Sequence, residues 1–329
     1  MAVQKIVAVT GANGYIAAWV VKLLLERGYT VRGTVRNPDD AVKVGPLLKL
    51  PGAKTRLTLH KANLQEEGAF DDIFVGVEGV FHIASPTMQG DYPDAENAII
   101  IPAVKGTLNV LSAAAKVGTV KRVVFASSHA AVSISEAAQY PEDPNIVIDE
   151  TWWSDPEWAK QRKMWYMLSK IQAEQAAWDF MKKEKNFDLV VLNPAVVLGP
   201  TVGDTPLNSS CEMILHFVDG TVKEYPYFTF GFVHVKDAAL AHILVYETPS
   251  AQGRYCLVDS AMHASKLMDL LKVMCPTSPV PSKCVDSKKP VSGIFKGERI
   301  KKIGLVYTAT EVVLREFLSY CREQKLLAF

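Results

Sequence analysis

The stretch "VTGANGYIAAWVVKLLLERGYTVRGTVR", residues 9–36, decides the fold. It leaves an apolar run, "KIVAV" (5–9), turns at Gly11 and Gly14, passes through an amphipathic run over 14–27, and ends in a second apolar run, "TVRGTV" (30–35). A strand, a glycine turn, a helix and a strand within about thirty residues is the context in which a glycine loop binds a dinucleotide. Gly11 permits the tight turn, and Gly14 lets the backbone approach a pyrophosphate. The phosphates then rest on the helix N-terminus, whose free N–H groups and dipole favour anions. The spacing is G-x-x-G-x-x-A, with Ala17 in the third place. Alanine is the next smallest residue after glycine, so the close helix–strand packing is expected to survive. Tyr15 and Ile16, directly after Gly14, are counted with the cofactor contacts.

The same alternation continues along the chain. "RLTLH" (56–60), "GVFHIA" (79–84), "RVVFAS" (122–127) and "DLVVLNP" (188–194) read as strands, and residues 95–117 and roughly 157–185 read as helices. Continuous apolar strands between helices predict an α/β fold with a doubly wound parallel sheet covered on both faces. After Pro194 the texture changes, with Pro, Gly, Ser and aromatic residues punctuating 199–232. Helical patterns return at 235–247, 265–274 and near 309–324, around a Pro/Ser/Lys-rich connector at 276–292. The expected organisation is a Rossmann domain over 1–194 plus 233–250, and a smaller substrate lobe over 195–232 plus 251–329. Such a lobe would sit over the carboxyl edge of the sheet, where α/β folds bind ligands.

Composition narrows the function. The chain has 329 residues, 49% hydrophobic and 22% charged, with a formal net charge of +1. It carries no nucleic-acid footprint, and no apolar run approaches the length of a membrane span. The amino terminus reads as a first strand and not a signal peptide. Cys211, Cys256, Cys275, Cys284 and Cys321 are odd in number and lack CxxC spacing. They argue against a disulfide framework or a metal site and fit a reducing, cytoplasmic compartment.

The end of the second strand selects the cofactor. An NAD enzyme places Asp or Glu there for the ribose hydroxyls. Here the stretch is "TVRNPDD", with Arg36 at the tip and Lys43 further on. An arginine at that place forks onto a 2′-phosphate and stacks on adenine, which favours NADPH over NADH.

Further along stands "WYMLSK" (165–170), which sets Tyr166 and Lys170 four residues apart, one turn from each other on one helix face. A lysine ammonium one turn away, together with the positively charged oxidised nicotinamide, favours the phenolate and would lower a tyrosine pKa that is ordinarily near 10. "SDPEW" supplies Asp155 as an N-cap and Pro156 at the first helical position, and Asn186 is a plausible stop. Ala173, Ala176 and Ala177 would let this helix lie close to the sheet. His82 and His234, in apolar runs, read as core histidines. His129 either enters the pocket or serves structure. Trp152, Trp153, Trp158 and Trp165 read as packing, and Phe228, Phe230 and Phe232 alternate in a strand near the pocket.

The chain resembles the extended short-chain dehydrogenase/reductases, in particular the plant dihydroflavonol reductase and cinnamoyl-CoA reductase group. The resemblance rests on the opening stretch and on "GVFHIASP", "VVFASSHAAV", "IDETWWSD", "YMLSKIQAEQAAW", "LNPAVVLGP" and "FVHVKDAALAHILVYETPSAQGRY". It implies a catalytic set of Ser128, Tyr166 and Lys170, with Ser127 beside the cofactor. It also places Gly11, Gly14, Arg36, Lys43, Asn63, Leu64, Ala84, Pro194 and Val197 at cofactor-contact positions. His129, Ser133 and Phe230 are the substrate candidates, and no metal is implied. Where cinnamoyl-CoA reductases carry "NWYCYGK", this chain reads "MWYMLSK". Where dihydroflavonol reductases place Asn or Asp to bind the flavonoid, it has the shorter Ser133. Asn63 replaces the usual Asp near adenine. The resemblance implies NADPH-dependent reduction of a carbonyl on a small aromatic substrate (aldehyde, ketone, CoA thioester or dihydroflavonol) by a monomer or weak homodimer. An epimerase or dehydratase that retains NAD and acts on nucleotide sugars is the alternative within the superfamily.

Overall fold

A computed structural model describes residues 5–86, 94–143, 145–286 and 293–327. The part of the 276–292 connector from 287 onward lies outside the described residues. In chain order the strands are β1 (Ile6–Thr10), β2 (Thr30–Val35), β3 (Leu57–Lys61), β4 (Gly79–His82), β5 (Arg122–Ala126), β6 (Val147–Ile148) and β7 (Asp188–Pro194). There follow β8 (Val196–Leu198), β9 (Glu224–Tyr225), β10 (Thr229–His234), β11 (Gly253–Leu257), β12 (Ser260–His263), β13 (Lys283–Cys284) and β14 (Ile294–Phe295).

Seven of these form one sheet in the order β11-β7-β5-β4-β1-β2-β3. Every pairing within it is parallel, with Thr10 opposite His82 and Ala126 opposite Leu192. The six strands expected from the apolar runs are all present within two residues of their expected bounds. Burial is complete in β4 and β5, the mark of strands covered on both faces, and falls off toward the edge strand β3, where Thr58 and Lys61 are exposed. One face carries the helices Tyr15–Glu26 and Val235–Glu247, the other Ile101–Val117 and Trp165–Met181.

Four readings need correction. Gly253–Leu257, given to the lobe, is β11 and pairs with β7 at the edge of the main sheet. The helix expected over 157–185 is two helices, Pro156–Gln161 and Trp165–Met181. Lys163, in the left-handed region at φ 55°, breaks them apart and places Tyr166 in the first turn of the second. Asn186 does not stop this helix, which is capped at Lys182; the N–H of Asn186 instead donates to Glu184 at 2.6 Å. Finally, the run Glu96–Val117 is long and apolar enough, by length and composition, to cross a membrane. Its buried residues Val110, Leu111, Ala113 and Ala114 pack on the sheet, and this core face accounts for its apolarity.

Beside the main sheet, β8, β10 and β12 form a three-stranded sheet, with β10 parallel to β8 and antiparallel to β12. The helices Ser209–Val218 and Thr310–Glu323 pack against it. His234 caps the helix Val235–Glu247 by accepting the Lys236 N–H at 3.1 Å. The five cysteines are free thiols, and all but Cys284 are buried.

Candidate active site

The carboxyl ends of β1, β2, β4, β5 and β7 open into one cavity of about 790 Å³. Its cofactor end is made by the glycine loop. Gly11 sits at φ +62°, and a Cβ there would lie 2.9 Å from the Cβ of Ala84. No side chain other than hydrogen fits that place without strain. The loop is tied to β2, because Thr34 accepts the Ala12 N–H at 2.9 Å and its hydroxyl accepts the Gly11 N–H at 3.3 Å. Gly14 caps the helix Tyr15–Glu26 with no side-chain bond, which leaves the first-turn N–H groups available to a phosphate. Ala17 is 1% exposed, so the close packing survives the missing third glycine.

These features fit a nicotinamide dinucleotide, and most residues assigned to one line the cavity: Gly11, Gly14, Tyr15, Ile16, Arg36, Asn63, Leu64, Ala84, Ser127, Pro194 and Val197. Tyr15 has a second task, since its phenol donates to Gly199 O at 2.6 Å and so ties the glycine-loop helix to the lobe. Arg36 is exposed on the cavity wall, directly after β2. The nearby Asp40 is occupied elsewhere, capping the helix Ala41–Leu48 by accepting the Lys43 N–H at 3.2 Å. Lys43 does not line the cavity; its ammonium pairs with Asp40 at 3.2 Å. Asn63 accepts the Gln65 N–H at 3.1 Å with the oxygen expected to meet adenine.

At the other end the cavity is floored by Ser128, Tyr166 and Lys170. Ser128 follows β5, while Tyr166 and Lys170 lie one turn apart at the start of the helix Trp165–Met181. The Ser128 hydroxyl accepts the Ala130 N–H at 3.1 Å and hydrogen-bonds the Tyr166 phenol, an interaction that favours the phenolate. In the protein alone, burial outweighs it and pushes the phenol up to about 12. Burial likewise brings the Lys170 ammonium down to about 8, and the Glu174 carboxylate works in the opposite direction. Lys170 is 5% exposed and donates to Ala126 O at 3.3 Å.

Beneath this trio lies a buried polar network that the sequence reading missed. Glu174 is 0% exposed. Its carboxylate accepts from Ser127 Oγ at 2.5 Å, Asn193 Nδ2 at 2.7 Å, Trp178 Nε1 at 3.2 Å and Arg254 Nε at 2.6 Å. Arg254 also donates to the carbonyls of Glu150, Trp152 and Ala131 at 3.2, 2.5 and 3.0 Å. It also stacks 3.9 Å from the Trp153 ring. Losing one partner of such a buried pair costs about 3–5 kcal/mol, because the other charge is left uncompensated. The only sequence signal was the spacing, since Tyr166, Lys170 and Glu174 recur every four residues along one helix face.

The substrate side brings His129, Ser133 and Phe230 to the cavity wall together with Met167, Met213 and Phe295. His129 is buried and neutral, with burial lowering it to about 3. Its Nδ1 lies 3.0 Å from Ser133 Oγ and its ring 4.7 Å from that of Phe295. Phe228 also lines the cavity, whereas Phe232 is wholly in the core. Trp152, Trp153, Trp158 and Trp165 stay off the cavity wall. His82 is a satisfied core histidine, 3.0 Å from the Thr10 hydroxyl and 3.4 Å from that of Thr107.

Known proteins resemble this chain. A cinnamoyl-CoA reductase of Medicago truncatula is 48% identical over 98% of this chain and 97% of its own length. A tetraketide alpha-pyrone reductase of Arabidopsis thaliana is 42% identical over 84% of each chain. Among solved structures, the yeast methylglyoxal/isovaleraldehyde reductase Gre2 complexed with NADPH superposes with a TM-score of 0.82 at 26% identity, covering 98% of this chain and 100% of that one. The model of the NAD dependent epimerase/dehydratase family matches residues 7–257. The chain therefore belongs to that family, within the extended short-chain dehydrogenase/reductases.

Proposed function

We propose that this chain is an NADPH-dependent reductase of an aromatic carbonyl compound, with Tyr166 as proton donor. The convergence of Ser128, Tyr166 and Lys170 on the floor of a cavity that the glycine loop opens carries the reading. Bound NADPH supplies the hydride. Gly11, Gly14 and the helix N-terminus would hold its pyrophosphate, and Arg36 its 2′-phosphate.

The protein's own part is protonation and charge. At neutral pH Tyr166 keeps its proton, because burial holds the phenol near 12. That is the form a reduction requires, since the carbonyl oxygen must gain a proton as it becomes an alcohol. Ser128 offers a hydroxyl to the same oxygen as negative charge grows there. Lys170, at about 8, is mostly cationic at pH 7 and stabilises the phenolate left after proton transfer.

For the substrate we favour a cinnamoyl-CoA-type thioester or the related aldehyde. The relatives named for that thioester match almost the whole chain. The departure at "MLS" is also smaller than it looks. Leu168 and Ser169 are buried away from the cavity, with Ser169 Oγ donating to Tyr166 O at 2.6 Å, and only Met167 reaches the wall. Two of the three residues between Tyr166 and Lys170 therefore repack the helix without facing the substrate. The test is an NADPH-oxidation screen of feruloyl-CoA, coniferaldehyde and dihydroquercetin, with NADH as control. Turnover of the thioester or the aldehyde, at least tenfold faster with NADPH, is expected from the charged contact of Arg36. Purified protein carrying tightly bound NAD and oxidising no NADPH would point to the epimerase chemistry instead.

A further inference from the structure

The buried network beneath the catalytic floor has a definite direction. Glu174 grips the end of β5 through the Ser127 hydroxyl at 2.5 Å, and Lys170 grips the residue before it through Ala126 O at 3.3 Å. Asn193, on β7, donates with one amide nitrogen both to Glu174 at 2.7 Å and to Ser128 O at 3.1 Å. Ser128 is thus suspended from Glu174 along two routes, through its chain neighbour and through Asn193. Tyr166 and Lys170 share the helix that carries Glu174. One carboxylate therefore joins all three members of the trio.

We propose that Glu174 is a positioning residue for this trio: it fixes Ser128 against Tyr166 through Ser127 and Asn193, and its negative charge keeps the buried Lys170 cationic. Ser127 then works on the network, its hydroxyl spent on Glu174.

The charge assignment depends on everything that faces the pair. From β4, His82 lies close to Lys170; burial holds it neutral near 3, and the lysine charge adds to that lowering. From β5, the Phe125 ring centroid is 6.0 Å from the ammonium. From β11, Arg254 is paired with Glu174, and beyond it stand Glu150, whose carboxyl is raised by burial, and the buried Cys256 thiol. His129, which feels Arg254, is neutral. On the helix itself Tyr166 is protonated. Glu174 is then the anion that favours the charged form of Lys170 against burial.

The inference rests on the catalytic reading of Lys170, and two variants separate them. In Glu174→Gln, competitive acetylation of the protein without cofactor, read by peptide mass spectrometry, should show Lys170 titrating about one pH unit lower. The alkaline limb of kcat, measured with NADPH and coniferaldehyde, should move down with it. Ser127→Ala removes only the strand tie and decides the matter if Glu174→Gln fails to fold. It should lower kcat about tenfold through misplacement of Ser128, with the Lys170 titration and the NADPH Kd unchanged. An unmoved Lys170 titration in folded Glu174→Gln, or wild-type kcat in Ser127→Ala, overturns the proposal. A fully active Lys170→Met would overturn the catalytic reading itself.

Discussion

At the cofactor end of the cavity the decisive feature is shape: Gly11 at φ +62°, with no room for a Cβ beside Ala84, and a helix N-terminus free of any side-chain cap. At the catalytic end it is charge: Lys170, Glu174 and Arg254 are all at least nine-tenths buried, and each nitrogen of the Arg254 guanidinium has an acceptor. The two ends are thus sensitive to different changes. The cradle binds with backbone, so its side chains matter only where one reaches a charged group on the ligand. The catalytic floor cannot lose a charge without leaving another uncompensated, because no solvent is there to screen the loss.

Substitutions at the rim of the cradle sharpen this contrast. Arg36→Glu removes the one cationic side chain placed at the end of β2 and puts an acid where NAD enzymes carry one. The KM for NADPH should rise about ten- to a hundredfold, from loss of a charge-assisted contact and added repulsion, with kcat nearly unchanged. Steady-state kinetics with NADPH and NADH would show the preference fall or invert. A KM unaltered for both cofactors would mean that Arg36 faces solvent only. Lys43→Ala should do far less. Its ammonium is exposed, pairs with Asp40 and stands off the cavity wall, so the KM for NADPH should change less than about twofold. A tenfold rise would place Lys43 on the 2′-phosphate and blur the distinction between rim and wall.

Much of this molecule was legible before its structure. The six strands announce themselves because a doubly covered strand must be apolar throughout, and Gly11 and Gly14 because the turn leaves few alternatives. The meeting of Ser128, Tyr166 and Lys170 at one cavity was legible through spacing and family resemblance together. Three things were not. Lys163 breaks the helix with a left-handed backbone that nothing in "QRKM" signals, as neither glycine nor asparagine stands there. β11 looked like lobe because its pairing with β7 joins residues some sixty positions apart, which local pattern does not encode. The Glu174 network was hidden for the same reason. A lone Glu, Asn and Arg on three elements carry no local sign of pairing until the sheet brings them together. Burial of the phenol was equally hidden, and in the protein alone it outweighs the favourable Ser128 hydrogen bond.

The proton-donor assignment meets its most direct test in Tyr166→Phe, which removes one oxygen and keeps the ring. Turnover and NADPH binding should be measured on the same preparation, by NADPH oxidation with coniferaldehyde or feruloyl-CoA and by fluorescence titration. The expected result is a kcat lower by about 10²–10⁴-fold, with the NADPH Kd within about twofold of wild type. Turnover at the wild-type rate would contradict Tyr166 as the proton donor, and with it the reading of the cavity floor as a catalytic site.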